Sequence, residues 1–179
     1  MMYESPTSLI CPALGIGWQT GNNLSEDCRL IQGARQWERN WNAVPKDLAD
    51  PEFNLMSIRI SSGDGELRPP AIDSVDELEF FDIVPIKLFS RVIPVGSTTT
   101  VFARDLHPGS VRCLDLGFED VAFTVSGRTV TLDAPAALPV RVYARCVLTV
   151  FAKDWSLTSM DSSADVSWWI EMEEVGGLS

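Results

Sequence analysis

The residue types able to do chemistry are sparse in this chain and badly spaced for it. There is one histidine, His107, and it sits in Leu106-His107-Pro108-Gly109, a turn sequence. A nucleophilic triad needs a base that accepts a proton near neutrality. No Gly-x-Ser-x-Gly elbow accompanies His107, so a solvent-facing turn is the reading for it. The four cysteines, Cys11, Cys28, Cys113 and Cys146, form no Cys-x-x-Cys pair. Their spacing argues against a zinc or iron–sulfur site and for reduced, largely buried thiols. Gly15-Ile16-Gly17 follows no strand and opens no helix, which excludes a dinucleotide fingerprint. Asp64-Gly65-Glu66 is too short for a calcium loop. Asp76, Glu77 and Glu79 are close in sequence, but a glycosidase pair must face across a cleft, and a solvated acidic face is the simpler expectation. No catalytic residue, cofactor or metal site is expected.

What stands out instead is aromatic. Six tryptophans, at positions 18, 37, 41, 155, 168 and 169, are many for 179 residues. Neighbours in a strand point to opposite faces, so Trp168 and Trp169 cannot both enter one core. The outward one either meets a second layer of the same chain or packs on a partner, because large aromatics anchor interfaces. Stacking on a sugar is a variant of the second case.

The elements that position these residues read as β. Residues 1–23 hold Pro6, Pro12, Gly15, Gly17, Gly21, Asn22 and Asn23 and form an irregular N-terminal arm; residues 24–179 form a β-rich domain. Leu24 to Val44 fits two templates. At helical period Leu30, Ala34, Trp37, Trp41 and Val44 share a face; at period two Gly33, Arg35, Trp37, Arg39 and Trp41 do. Gly33 and the β-like remainder of the chain favour strand. Pro45 to Pro51 reads as a loop, and Asn54 to Ser61 as a strand in which Met56, Ile58 and Ile60 alternate with Leu55, Ser57 and Arg59. From Val84 on, strands are expected at Ile86–Ile93, Thr98–Ala103, Val111–Leu116, Val121–Val125, Thr129–Leu132, Val140–Phe151 and Val166–Glu173. Ser126-Gly127 marks the clearest hairpin. Short strands about ten residues apart with Gly and Pro turns predict a mainly β fold, an antiparallel sandwich or barrel with at most one or two short helices.

Charge narrows the partners. Fourteen basic against 25 acidic residues give a net of −11. Such a surface repels polyanions, so specific nucleic-acid binding is not expected. The interrupted apolar stretch around Ile10 to Trp18 reads as neither signal peptide nor membrane span.

Two stretches carry a family resemblance. The end of the chain, Thr129-Val130-Thr131-Leu132-Asp133, Pro139-Val140-Arg141-Val142-Tyr143 and Trp168-Trp169-Ile170-Glu171-Met172-Glu173-Glu174-Val175, closes an alternating strand on an acidic residue and Val. Ile31-Gln32-Gly33-Ala34-Arg35-Gln36-Trp37-Glu38-Arg39-Asn40-Trp41 looks like a first long strand with a Gly before Arg-rich and Trp-bearing positions. Together they cover about a third of the chain, and they resemble the distal tail proteins of long-tailed bacteriophages. The resemblance implies a virion structural protein made in the host cytoplasm and built into the tail tip or baseplate. It implies a hexameric ring of identical subunits that contacts the tail tube protein, the tape-measure protein and the hub protein, with no chemistry. Interface positions in this reading are Trp37, Trp41, Trp168 and Trp169, and Asp76, Glu77 and Glu79 line a bore that repels passing DNA. Two alternatives share the composition: a β-sandwich module that binds a glycan or peptide, and a tail tube or tail terminator protein.

Overall fold

In a computed structural model the protein is described over residues 9–16, 23–31, 37–47, 54–62, 69–76, 78–159 and 166–176. Among these residues the regular structure is thirteen β-strands and one 3-10 turn, Ile72–Ser74, and eight strand pairings are antiparallel. The chain is mainly β, as its composition and turn spacing predict. The strands are β1 (Ser25–Leu30), β2 (Trp37–Arg39), β3 (Pro45–Asp47), β4 (Met56–Ser61), β5 (Phe80–Ile83), β6 (Phe89–Ile93) and β7 (Thr99–Val101). They continue as β8 (Arg112–Leu114), β9 (Phe123–Ser126), β10 (Thr129–Leu132), β11 (Val140–Ala144), β12 (Leu148–Ser159) and β13 (Val166–Glu174).

Two compact units divide these elements, one from residues 1–83 and 149–179, the other from 84–148. The first contains a five-stranded sheet of order β1-β4-β13-β12-β5. Its inner face is legible as period two: Met56, Ile58 and Ile60 of β4 and Trp168, Ile170 and Met172 of β13 are all buried. Cross-strand register keeps them on one face, since Ile60 pairs with Ile170 and Ile58 with Met172. Burial of such side chains stabilises by about 1.5–3 kcal/mol each relative to exposure. Part of the N-terminal stretch joins this unit: Leu9, Cys11 and Leu14 are buried, and the Ala71 N–H donates to the Leu14 carbonyl at 3.0 Å.

The second unit is a small sandwich of two three-stranded sheets, β7-β10-β9 and β6-β11-β8. Both supply one core, in which Ile93, Cys113, Val140, Val142 and Ala144 from one sheet meet Val130 and Leu132 from the other, with Phe102, Ala136 and Cys146 filling in. The hairpin between β9 and β10 turns through Gly127 and Arg128, pairing Ser126 with Thr129. Gly127 has φ +57° whereas Arg128 is not among the positive-φ residues, the arrangement of a two-residue turn that places Gly first.

The structure corrects four expectations. Val140–Phe151 is not one strand: it breaks at Arg145–Val147, where the chain makes only a bridge between Cys146 and Leu106. The strand beginning at Leu148 runs on to Ser159, well past Phe151. Pro45–Asp47, read as a loop, is a strand, with Pro45 tolerated because among the described residues β3 pairs with β2 alone and is an edge strand. Phe80–Ile83 is a strand that its acidic surroundings concealed; Phe81 and Ile83 are buried between exposed Phe80 and Asp82. The Leu24–Val44 ambiguity resolves in favour of strand at both described ends, β1 and β2. Residues 32–36 lie outside the described residues.

Candidate functional site

The reactive groups are where they can do little. His107 is half-buried in its turn, its main-chain N–H donating to the Arg145 carbonyl at 2.8 Å. The Ser110 hydroxyl lies 2.7 Å from the His107 carbonyl and accepts from the Arg145 N–H at 3.1 Å, so these groups pin a loop. The four cysteines form no disulfide with one another, three of them being buried and Cys28 half-buried. Burial pushes the Cys11 thiol up to about 11, against a smaller opposing effect of backbone hydrogen bonds at Leu14 and Ala13. Burial alone pushes Cys113 up to about 11. Both are protonated at neutral pH and are poor nucleophiles there. Among the described residues no group of three His, Cys, Asp or Glu side chains could hold a metal ion, and no helix is long and apolar enough to cross a membrane.

The tryptophans divide sharply by environment. Trp168 is the inward member of the adjacent pair, only 2% exposed, and its indole Nε1–H is buried with no hydrogen-bond partner among the described residues. Its main-chain N–H donates to the Ser62 hydroxyl at 3.0 Å, tying the start of β13 to the end of β4. Trp169 takes the opposite face of the sheet, half-buried, with the Arg59 guanidinium 4.2 Å from its ring centroid. The interface expectation for this pair therefore narrows to Trp169.

Trp41 is 93% exposed at the tip of the β2–β3 hairpin. The tip is tied down by hydrogen bonds. The Asn40 side-chain oxygen accepts the N–H groups of Asn42 and Val44, each at 3.0 Å, and Arg39 donates to the Ala43 carbonyl at 2.8 Å. Ala43 accepts φ +59° to close the turn. Trp37 falls in β2, its side chain outside the described residues, as is Trp18 entirely.

Trp155 went unread as a strand residue. It lies in β12 opposite Ile170, with Leu157 opposite Trp168, so both point to the face that forms the core nearer the middle of the sheet. Here solvent reaches them, at 40% and 37% exposure.

Asp76 and Glu79 are exposed and hydrogen-bonded to one another. The Glu79 N–H donates to the Asp76 carbonyl at 3.2 Å, and the Asp76 N–H to the Glu79 carboxylate at 3.4 Å. Leu78 between them is 69% exposed with φ +63°, a conformation that costs a bulky side chain about 1–2 kcal/mol. Glu77 lies outside the described residues.

Sequence reasoning missed a basic cleft in the second unit. Phe89, Ser90, Arg91, Phe102, Ala103, Arg104 and Cys146 line about 160 Å³ of space. The Phe89 ring is approached by Arg104 at 5.3 Å and Lys87 at 5.6 Å. The signal available was the charge distribution. Residues 84–148 hold seven Lys and Arg against five Asp and Glu, a net of +2, whereas the rest of the chain has seven against 20, a net of −13.

The surfaces that stand out among the described residues are the Trp41 hairpin tip, the part-exposed Trp155 and Leu157, and the Arg91–Arg104 cleft. Comparison with protein-family models, curated proteins and solved structures finds no match.

Proposed function

We propose that this chain is a structural assembly subunit, a virion protein that forms a ring of identical copies at the end of the tail tube of a long-tailed phage and joins tube to hub. The observation that supports it is Trp41: an indole 93% exposed on a hairpin tip fixed by five hydrogen bonds through Asn40, Arg39 and Ala43. An ordered loop that holds a large aromatic in water keeps an apolar surface exposed. Docking on a neighbour removes it, and a pre-ordered loop loses little conformational entropy in doing so. Val44 beside it, 55% exposed, widens the apolar tip. The tail tube, the tape-measure protein and the hub are the partners in this reading, and no chemistry is assigned.

The second reading, a module that binds a glycan or peptide, draws on Trp155 and Leu157, whose part-exposed face offers a stacking surface. Native mass measurement and particle images of the purified chain separate the two. A closed ring, six-fold by the resemblance, supports the first. A monomer at every concentration, with glycan or peptide binding lost in Trp155→Ala, replaces it by the second.

A further inference from the structure

The charge imbalance between the two units places complementary surfaces on one chain. The cleft of the second unit has an apolar floor in Phe89, Phe102 and Ala103 and guanidinium groups in Arg91, which is exposed, and Arg104, over the Phe89 ring. The first unit presents the inverse. Its 76–80 segment carries the exposed carboxylates Asp76 and Glu79 and the exposed apolar side chains Leu78 and Phe80, 69% and 53% exposed. The Asp76–Glu79 hydrogen bonds close this segment into a turn before any partner arrives.

We propose that the 76–80 turn of one copy docks in the Phe89–Arg91–Phe102–Arg104 cleft of the next copy, a head-to-tail contact that repeats around a ring. The proposal rests on the ring reading above and supplies its joint. The surfaces belong to different units, so the contact is heterologous, the kind that generates rings when its rotation closes. Apolar Leu78 and Phe80 seat against the aromatic floor while the carboxylates meet the guanidiniums. Charge of this sense also speeds encounter and opposes the reversed docking, in which acidic turn would meet acidic turn. The Asp105 carboxylate, next in sequence to Arg104, is ionised, but the Arg128 guanidinium 2.7 Å away offsets its field on an incoming acid. Lining of a bore by the same carboxylates is the competing outcome.

The test measures the mass distribution of the full chain in solution, at low and high salt, for three samples: the protein itself, a cleft variant (Arg91→Glu with Arg104→Glu) and a turn variant (Asp76→Lys with Glu79→Lys). Each variant alone is expected to self-associate at least about tenfold more weakly. Mixing the two recovers assembly, since the lysine turn then meets the glutamate cleft. High salt weakens assembly of the unaltered protein. If the unaltered chain forms rings and both variants do so equally well, the proposed joint is wrong and the ring reading stands. If the variants are monomeric and their mixture is too, the pairing is wrong. If the unaltered chain is monomeric throughout, the ring reading itself has failed. Should a charge reversal disturb the melting transition, Arg91→Gln and Glu79→Gln replace it: each must weaken association and flatten its salt dependence, and no change in either overturns the proposal.

Discussion

Arg59 stands over Trp169 on the outer face of the five-stranded sheet, its guanidinium carbon 4.2 Å from the ring centroid of that residue on the neighbouring strand. One residue earlier in the same strand, Trp168 points the other way and is buried. Adjacent indoles thus hold opposite jobs, and their replacement should separate the two. Trp168→Ala leaves a cavity and should cost about 3–5 kcal/mol in urea unfolding. Trp169→Ala loses a partly exposed ring and a cation–π contact worth about 0.5–1 kcal/mol, and should affect self-association more than folding. Equal losses of stability for the two would remove Trp169 from the interface.

Arg145 predicts a different kind of loss. It sits where the expected long strand breaks, donating from Nε to the Pro85 carbonyl at 3.2 Å and from a terminal nitrogen to the Val84 carbonyl at 3.0 Å. A planar fork reaches two carbonyls at once; an ammonium cannot hold the same geometry. Arg145→Lys should therefore destabilise by about 1–3 kcal/mol, read from the denaturant midpoint. A midpoint unchanged within error would mean the two carbonyls find water instead.

The thiols set a pH dependence of definite sign. Folded Cys11 and Cys113 have their pKa values raised to about 11, above the ordinary thiol range reached on unfolding. Their contribution is complete below about pH 8.5 and is lost as pH rises toward 11, because only the unfolded chain ionises readily in that window. Stability should fall across it, and Cys11→Ser with Cys113→Ser should flatten the fall. At pH 8 a disulfide reagent should modify both slowly until denaturant is added; prompt reaction of the folded protein at either would contradict their burial.

At the acidic end the sign reverses. The Asp105 carboxyl titrates below the usual carboxylate range, first because Arg128 donates a hydrogen bond to it and then through that charge. The pair contributes above the unfolded carboxyl value of about 3.9 and its contribution disappears as pH falls through the lower folded value. Both side chains are well exposed, so the effect on stability is small and screened by salt. Carboxyl chemical shifts against pH should show Asp105 shifted down, and Arg128→Gln should return it to the ordinary range.

Legibility in the sequence tracked how regular each strand is. Val166–Glu174 alternates without interruption, so its inner face was readable down to the opposed roles of Trp168 and Trp169. β12 was not readable, for a local reason. Val150 and Ala152 face the core side, and then the register shifts between Ala152 and Asp154, so that Trp155 and Leu157 resume that face one residue out of phase. Lys153 is the extra residue, its ammonium 2.6 Å from the Glu173 carboxylate. A bulge breaks period two where the charged pair Lys153-Asp154 already suggests a loop, and so the continuation of the strand through Trp155 went unread. The basic cleft escaped for another reason: Arg91 and Arg104 are thirteen positions apart and belong together only through tertiary packing, though the +2 charge of residues 84–148 in so acidic a chain was open to counting.

Trp41 gives the cleanest separation of folding from assembly. Its ring is almost wholly in water, and the hydrogen bonds that order the hairpin tip run through the Asn40 and Arg39 side chains and the main chain, with none to the indole among the described residues. Trp41→Ser should therefore change unfolding free energy by no more than about 0.5 kcal/mol, the range for a surface substitution away from structural features. If the indole is an anchor, the same change should weaken self-association by about 2 kcal/mol or more, roughly thirtyfold in the dissociation constant. Asn40→Ala provides the complement: it keeps the indole but removes the acceptor that orders the tip, so association should weaken because the loop must then be ordered on contact. Unaltered assembly in Trp41→Ser, measured by sedimentation across a concentration series, would leave the hairpin without a role in joining copies.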